Sequence, residues 1–428
     1  MTNVVALSAA VILFLMFLKM PVFLALFSGT ILYFMSNSST SLQMIAQRAV
    51  AGMESTPLLA IPFFVAAGIY MNYSGVTKRI MDFCSVLTGR MWGGLAQVNV
   101  LLSTLMGGLS GSNIADAAME AKMLVPEMEK KGFSRPFSTV VTATSAMITP
   151  LIPPGIGMIV YGSIAGVSIG KLFIAGIGPG LLLCISMMIL VRFVSKKRGY
   201  KRLREDKITA AEKLEALKPA FFPLLLPLVI LGGIRIGIFT PTEAGSVAVV
   251  YALILGLCYR ELKLKEILEG LVETALTTAS IMLIVGAASA FAWVLTKERI
   301  PQTLTAFMVS HIHNKYVFLM VVNVFLLIVG MFIEGNAALI VLVPLLHPIA
   351  MQYGIDEIQF SMVFIFNITL GAVTPPMGML MFVTCGITGC EIRDFLKESI
   401  PFYVMLFICL MLLTFVPAFT TGIVNLVW

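Results

Sequence analysis

Charge is what this sequence has least of: only 12% of its 428 residues are Asp, Glu, Lys or Arg, against 59% hydrophobic residues. With about a quarter of residues charged in an ordinary soluble domain and a mean hydropathy here of +0.98, a water-soluble globule is excluded. Strict alternation of polar and apolar residues is also missing, which excludes a membrane β-barrel. The six cysteines (Cys84, Cys184, Cys258, Cys385, Cys390, Cys409) are scattered without a Cys-x-x-Cys pair and read as small packing residues rather than ligands or disulfides. Histidines number three: His311 and His313 fall in a polar connection, and His347 stands alone between Leu346 and Pro348. An enzyme working at membrane depth needs a nucleophile–base pair or a metal cluster, and these residues supply neither. There is no Gly-rich loop ending in Gly-Lys-Ser/Thr, so the chain itself is not expected to hydrolyse ATP. No cofactor is implied. The partner implied by composition is a lipid bilayer, not nucleic acid.

What is present is a series of apolar runs near the roughly 20 residues that a spanning helix needs, and the fold class is an all-α polytopic membrane protein. The first run opens almost at Met1 without a small-residue cleavage site, so it reads as a retained helix rather than a signal peptide. In order, the runs cover about 3–18 and 21–35, with a reversal at Lys19-Met20-Pro21, and then 56–73 after a polar stretch that begins Ser36-Asn37-Ser38-Ser39-Thr40. Residues 93–126 hold two apolar pieces too short to cross, meeting at Ser110–Asn113. They read as a re-entrant hairpin whose charged exit is Glu127 to Arg135. The span at 138–167 is broken at Thr149-Pro150-Leu151-Ile152-Pro153-Pro154-Gly155, and another follows at 172–194.

Between Arg192 and Lys218 stand 10 Lys or Arg against 4 Asp or Glu, so this stretch carries +6 of the chain's +7. It reads as a solvated linker helix on the cytoplasmic side, where cations concentrate. Counting from it puts Met1 and Trp428 outside, with 296–316 an exception bearing Lys297, Arg299 and Lys315 on the outer side. The second half echoes the first. Glu54 and Thr77-Lys78 return 219 residues later as Glu273 and Thr296-Lys297; Pro153-Pro154 returns 222 later as Pro375-Pro376; Gly111-Ser112-Asn113 matches Glu334-Gly335-Asn336. The organisation that follows is a first repeat over 1–191 with hairpin 93–126, the linker 192–218, and a second repeat over 219–428 with hairpin 317–349. Each repeat has five spanning segments, one of them broken, plus the hairpin. An odd number of crossings per copy makes the copies inverted, the plan of secondary transporters.

Unpaired backbone groups in lipid cost several kcal/mol each, so broken helices survive only where protein or water shields them. Four interruptions are therefore expected to share one site: the tips at Ser110–Asn113 and Glu334–Asn336, and the breaks at Thr149–Pro154 and Thr374–Pro376. Freed carbonyls with Ser, Thr and Asn oxygens suit a hard cation such as Na⁺, and half-helix N-termini suit an anion. Asp116, one turn past the first tip, is placed to bind a proton, to line a substrate cavity or to hold the tip in shape, since an intramembrane acid is costly unless paired or wetted. Glu120 with Lys122 is assigned to the watery hairpin base. Glu54, Glu243, Glu273 and Arg235 are assigned to helix ends, where they snorkel or cap.

The run Gly108-Leu109-Ser110-Gly111-Ser112-Asn113-Ile114-Ala115-Asp116, with Pro153-Pro154-Gly155, Glu334-Gly335-Asn336 and Thr374-Pro375-Pro376, resembles the large membrane subunit of tripartite ATP-independent periplasmic (TRAP) transporters over essentially the whole chain. The resemblance implies an elevator-type, sodium-driven transporter of the bacterial inner membrane, working with a small four-helix membrane subunit and a periplasmic binding protein that delivers an organic acid. The chain looks most similar to the sialic acid members, with C4-dicarboxylate-like acids as the other substrate class. By this likeness a first sodium site uses Ser110, Asn113, Thr149 and Pro150, and a second uses Gly335, Asn336 and Thr374. The substrate lies between them near Ser112, Asp116, Pro153, Pro154, Pro375 and Pro376. Because the sequence starts at the first helix of the large subunit, a separate small subunit is expected. Rival readings are a stand-alone sodium-coupled anion or dicarboxylate carrier and, more remotely, an intramembrane enzyme.

Overall fold

The computed structural model describes the chain except residues 1, 19, 38–40 and 207. The reversal at Lys19 and the residues Ser38, Ser39 and Thr40 thus lie outside the described residues. Among the described residues every regular element is helical, and eight helices are long and apolar enough to cross a membrane. This is the class that the composition dictates, since a helix satisfies its own backbone within one segment.

The first half comprises α1 (Thr2–Phe17), α2 (Val22–Ser36), α3 (Gln43–Met53), a 3-10 turn (Thr56–Leu59) leading into α4 (Ala60–Tyr73), and α5 (Val76–Thr88). The hairpin follows as α6 (Gly94–Ser110) and α7 (Asn113–Lys130), the broken span as α8 (Arg135–Ser145) and α9 (Ile156–Ala165), and then α10 (Ile169–Arg198). The second half contains α11 (Ala210–Arg235), α12 (Pro241–Cys258), the 34-residue α13 (Leu264–Lys297), and α14 (Ile300–His311). A second helix–turn–helix is formed by α15 (Lys315–Phe332) and α16 (Gly335–Gln352), a second broken pair by α17 (Glu357–Gly371) and α18 (Met379–Thr388), and the chain closes with α19 (Ile392–Phe415) and α20 (Ala418–Val427).

Three connections that look irregular in the sequence are helical: α3 within the polar stretch, α5 among its charges, and α14 within 296–316. In α5 the residues Val76, Thr77, Ile80, Cys84 and Thr88 recur at helical spacing and are buried, while Lys78 and Asp82 face out. Their apolar stripe is too narrow to read as a span, yet wide enough to dock a helix on its neighbours. The cationic linker is likewise not a single helix. Gly199, at φ 73°, ends α10 in the left-handed conformation that suits glycine, and α11 begins only at Ala210.

One of these acid assignments changes. Glu243 caps α12 as expected, in a box where Thr240 and Glu243 bond reciprocally. Glu273, by contrast, is the tenth residue of a helix about 51 Å long at 1.5 Å per residue, so it lies well inside α13 and not at its end.

Candidate functional site

The first tip forms because Gly111 adopts φ 63° between α6 and α7, and the Ser112 side chain then caps α7 by accepting from the Ala115 N–H at 3.4 Å. Glycines let α6 lie directly on the break. A Cβ on Gly107 would sit 3.0 Å from Thr149 Cα, and one on Gly111 would sit 3.0 Å from the Pro154 carbonyl oxygen. The second tip is capped differently: Glu334 accepts from the Ala337 N–H at 2.9 Å and from the Asn336 side-chain amide at 3.1 Å. At the second break the backbones come closer still, since a Cβ on Gly371 would lie 2.5 Å from Gly330 Cα. The Pro153–Pro154 and Pro375–Pro376 bonds are both cis.

Each helix pair is tied to its broken span by a buried polar cluster. In the first, Asn99 of α6 donates to Thr142 Oγ1 of α8 at 2.6 Å and accepts from Ser145 Oγ at 3.1 Å. In the second, Asn367 of α17 donates to Asn323 Oδ1 of α15 at 3.0 Å, and Asn323 donates to Thr414 Oγ1 at 2.9 Å. An amide left unpaired at membrane depth carries its full desolvation cost, so these clusters fix the register of the arms.

The two tips face one cavity of about 580 Å³. Of the residues singled out in the sequence, Ser110, Ser112, Asn113, Pro150, Gly335 and Asn336 line it. Glu334 and Thr369 line it too, and so does Glu273, supported from α4 by Tyr73 Oη donating to its Oε2 at 3.1 Å. Thr149, Asp116, Pro153, Pro154, Thr374, Pro375 and Pro376 do not reach its wall.

Asp116 is therefore not placed to touch a substrate. It is 0% exposed, and its Oδ2 accepts from Ser110 Oγ at 2.6 Å and from Thr149 Oγ1 at 2.9 Å, so one carboxylate oxygen pins the tip to the break. Of its three possible roles, holding the tip is the one its contacts serve. Thr374 sits beside its break with Oγ1 donating to the Leu370 carbonyl at 2.7 Å, and Pro376 is exposed. Glu120 does not belong to a watery base. Four residues after Asp116, it shares the same helix face and is fully buried, accepting from Ser103 Oγ at 2.7 and 2.9 Å, while Lys122 is exposed.

Sequence reasoning missed the α4–α13 wall, contributed by Asn72, Glu273, Thr277 and Ser280. A signal was available, because Glu273, Thr277 and Ser280 recur at helical spacing, though Thr274 and Thr278 interleave with them.

Broken helices whose polar tips converge on one cavity, within a bundle of membrane-spanning helices, define a membrane transporter. The chain belongs to the family described as "Tripartite ATP-independent periplasmic transporter, DctM component", whose model matches residues 9–419. It is 39% identical over 407 residues to the sialic acid TRAP transporter large permease protein SiaM of Vibrio cholerae, covering 95% of each chain. It is 36% identical to the C4-dicarboxylate TRAP transporter large permease protein DctM of Pseudomonas aeruginosa, covering 92% of each, and 36% identical to the 2,3-diketo-L-gulonate TRAP transporter large permease protein YiaN of Escherichia coli, covering 88% of each. In fold it is similar to the Alcanivorax borkumensis YdaH transporter, at a TM-score of 0.60 and 14% identity over 89% of this chain and 90% of that one. The chain is a TRAP large permease, a transport subunit and not an enzyme.

Proposed function

We propose that this subunit is the translocation pathway of a sodium-coupled importer of an organic acid. Its partners in this reading are a separate small four-helix membrane subunit and a periplasmic protein that delivers the substrate, in the bacterial inner membrane. The observation that carries the reading is the meeting of both helix tips, Ser110–Asn113 and Glu334–Asn336, on one cavity beside their breaks. Relatives named for sialic acid and C4-dicarboxylate transport favour a carboxylate substrate.

In this reading 1–191 and 219–428 are inverted repeats joined by the linker 192–218, and an elevator-type movement exposes the cavity to each side in turn. One sodium ion sits among Ser110, Asn113, Thr149 and the Pro150 region; another sits among Gly335, Asn336 and Thr374. Ser110 and Thr149 spend their protons on Asp116 and so turn oxygen lone pairs toward an ion, the arrangement a hard cation requires. Ser112 and the Pro153–Pro154 and Pro375–Pro376 breaks shape the substrate's seat between the ions.

The test is uptake into proteoliposomes containing both membrane subunits. The expected result is accumulation that needs an inward sodium gradient and the binding protein together. Uptake with sodium but without binding protein identifies the stand-alone carrier, and uptake indifferent to both removes the proposal. Orientation is checked separately. With an odd number of crossings in each repeat and the cationic linker inside, both termini lie outside, so a reporter fused after Val427 is expected to be active only when it folds in the periplasm; cytoplasmic activity refutes that topology.

A further inference from the structure

Between Arg192 and Arg202 stand six cations and no acid. The segment 260–269, by contrast, sets Arg260, Lys263 and Lys265 against Glu261, Glu266 and Glu269. Of the six, Arg198 has a carboxylate partner, Glu398 at 2.7 Å. Among the described residues no ion pair takes Arg192, Lys196, Lys197, Lys201 or Arg202.

A run of like charge is ordinarily a solvated face, but this one continues a lipid-facing stripe. The exposed apolar residues Leu181, Ile185, Ile189 and Phe193 of α10 recur at every fourth position, so they form one face of the helix. Arg192, Lys196 and Lys197 are exposed and carry that face on for one more turn, to the depth at which headgroups replace acyl chains. The chain then folds back instead of leaving into solvent. The Tyr200 N–H returns to the Ser195 carbonyl at 2.9 Å, the Tyr200 hydroxyl donates to Ser134 Oγ at 3.1 Å, and the N–H groups of Leu203 and Arg204 bond the Gly89 carbonyl at 3.0 and 3.1 Å. The turn 89–93 is thereby clamped against α10, where a Cβ on Gly93 would sit 2.2 Å from Ser195 Oγ. Next to Gly93, Trp92 takes the Arg202 guanidinium over its ring at 5.1 Å. Tryptophan favours the headgroup level, and a stacked guanidinium keeps its edge N–H groups free to fork onto a phosphate.

We propose that the last turns of α10, with Trp92 and Arg202, bind an anionic phospholipid of the leaflet that meets the linker. Its phosphate seats among Lys196, Lys197 and Arg202, and an acyl chain lies along Phe193, Ile189 and Ile185. A zwitterionic lipid offers the same phosphate and chains, but its cationic headgroup meets cations with no acid beside them. The site therefore selects net negative charge. A soluble phosphate fits less well, because it leaves the apolar stripe uncovered. The bound lipid holds the junction between the two halves of the chain at the membrane surface.

The test is quenching of Trp92 by brominated lipid in the purified membrane complex in nanodiscs, taken as the difference between wild type and Trp92→Phe. Brominated phosphatidylglycerol is expected to quench at about one-fifth of the mole fraction that brominated phosphatidylcholine needs, and high salt is expected to erase the difference. In Lys196→Gln/Lys197→Gln the preference is expected to fall to near unity, while Lys263→Gln/Lys265→Gln, in the balanced segment, keeps it. Equal quenching by the two lipids, a preference that survives high salt, or one that persists in folded Lys196→Gln/Lys197→Gln overturns the proposal. So does a preference removed by inorganic phosphate but not by chloride at the same ionic strength, which assigns the site to a soluble anion. A preference seen only when the small subunit is omitted also overturns it, and gives the stripe to that protein. None of these outcomes depends on sodium, substrate or binding protein.

Discussion

Asp116→Ala is expected to raise the sodium concentration for half-maximal uptake at least tenfold, with the folded complex still recoverable. Two buried hydroxyls, on Ser110 and Thr149, donate to the one oxygen that this change removes. An unsatisfied buried group costs about 1–3 kcal/mol, and about 1.4 kcal/mol is a factor of ten in an equilibrium. The hydroxyls regain partners only by rotating, which turns their protons toward the place proposed for the ion. Asp116→Asn keeps an acceptor and the side-chain volume but loses the charge, so its effect is expected to be smaller. The measurement is sodium activation of uptake in proteoliposomes, with thermal unfolding of both variants as the control for integrity. An unchanged activation constant in Asp116→Ala shows that the tip holds its shape without this carboxylate, and the positioning role is lost.

The second large effect is on stability. Gly371→Ala places a Cβ 2.5 Å from the Gly330 Cα and carbonyl carbon and 2.9 Å from its oxygen, so the colliding atoms are backbone on both sides and no rotamer relieves them. Overpacking typically costs about 1–3 kcal/mol, occasionally more. Here α15 and α17 must separate, stretching the Asn367–Asn323–Thr414 cluster that joins them to α19. A marked fall in thermal midpoint and in folded yield is expected, read by fluorescence-detected size exclusion after heating. Gly232→Ala serves as control: nothing lies within 4 Å of its added Cβ, and alanine in a helix interior is favoured by about 0.5–1 kcal/mol. If both variants melt alike, the close approach of the backbones is not what sets the stability of this arm.

Much of the site was legible because helix interruptions are written in residue types. Gly111, Ser112 and Asn113 break an apolar run in a way that no spanning helix tolerates, and Pro153-Pro154 and Pro375-Pro376 do the same at matching intervals. Both tips line the cavity. The breaks divide: Pro150 reaches the wall, while Thr149 and Thr374 pack behind it.

Asp116 and Glu120 show where the one-dimensional signal fails. Their spacing of four puts both on one face of α7, but it carries no information on what that face meets. It meets Ser110, Thr149 and Ser103 and not the cavity, because α6 and the first break close over it. Glu273 errs the other way. Its place in α13 was hidden because a membrane helix longer than the bilayer leaves the sequence no mark of depth.

By itself, the sequence determined that the chain lies in lipid as helices, where those helices break, and that the breaks recur in two halves, because burying backbone in a bilayer leaves few residue types that permit a break. Only the tertiary structure decided which polar groups face the cavity and which face each other. That choice depends on the rotation and approach of helices distant in sequence, such as α4 against α13 and α15 against α17, and no local pattern encodes it.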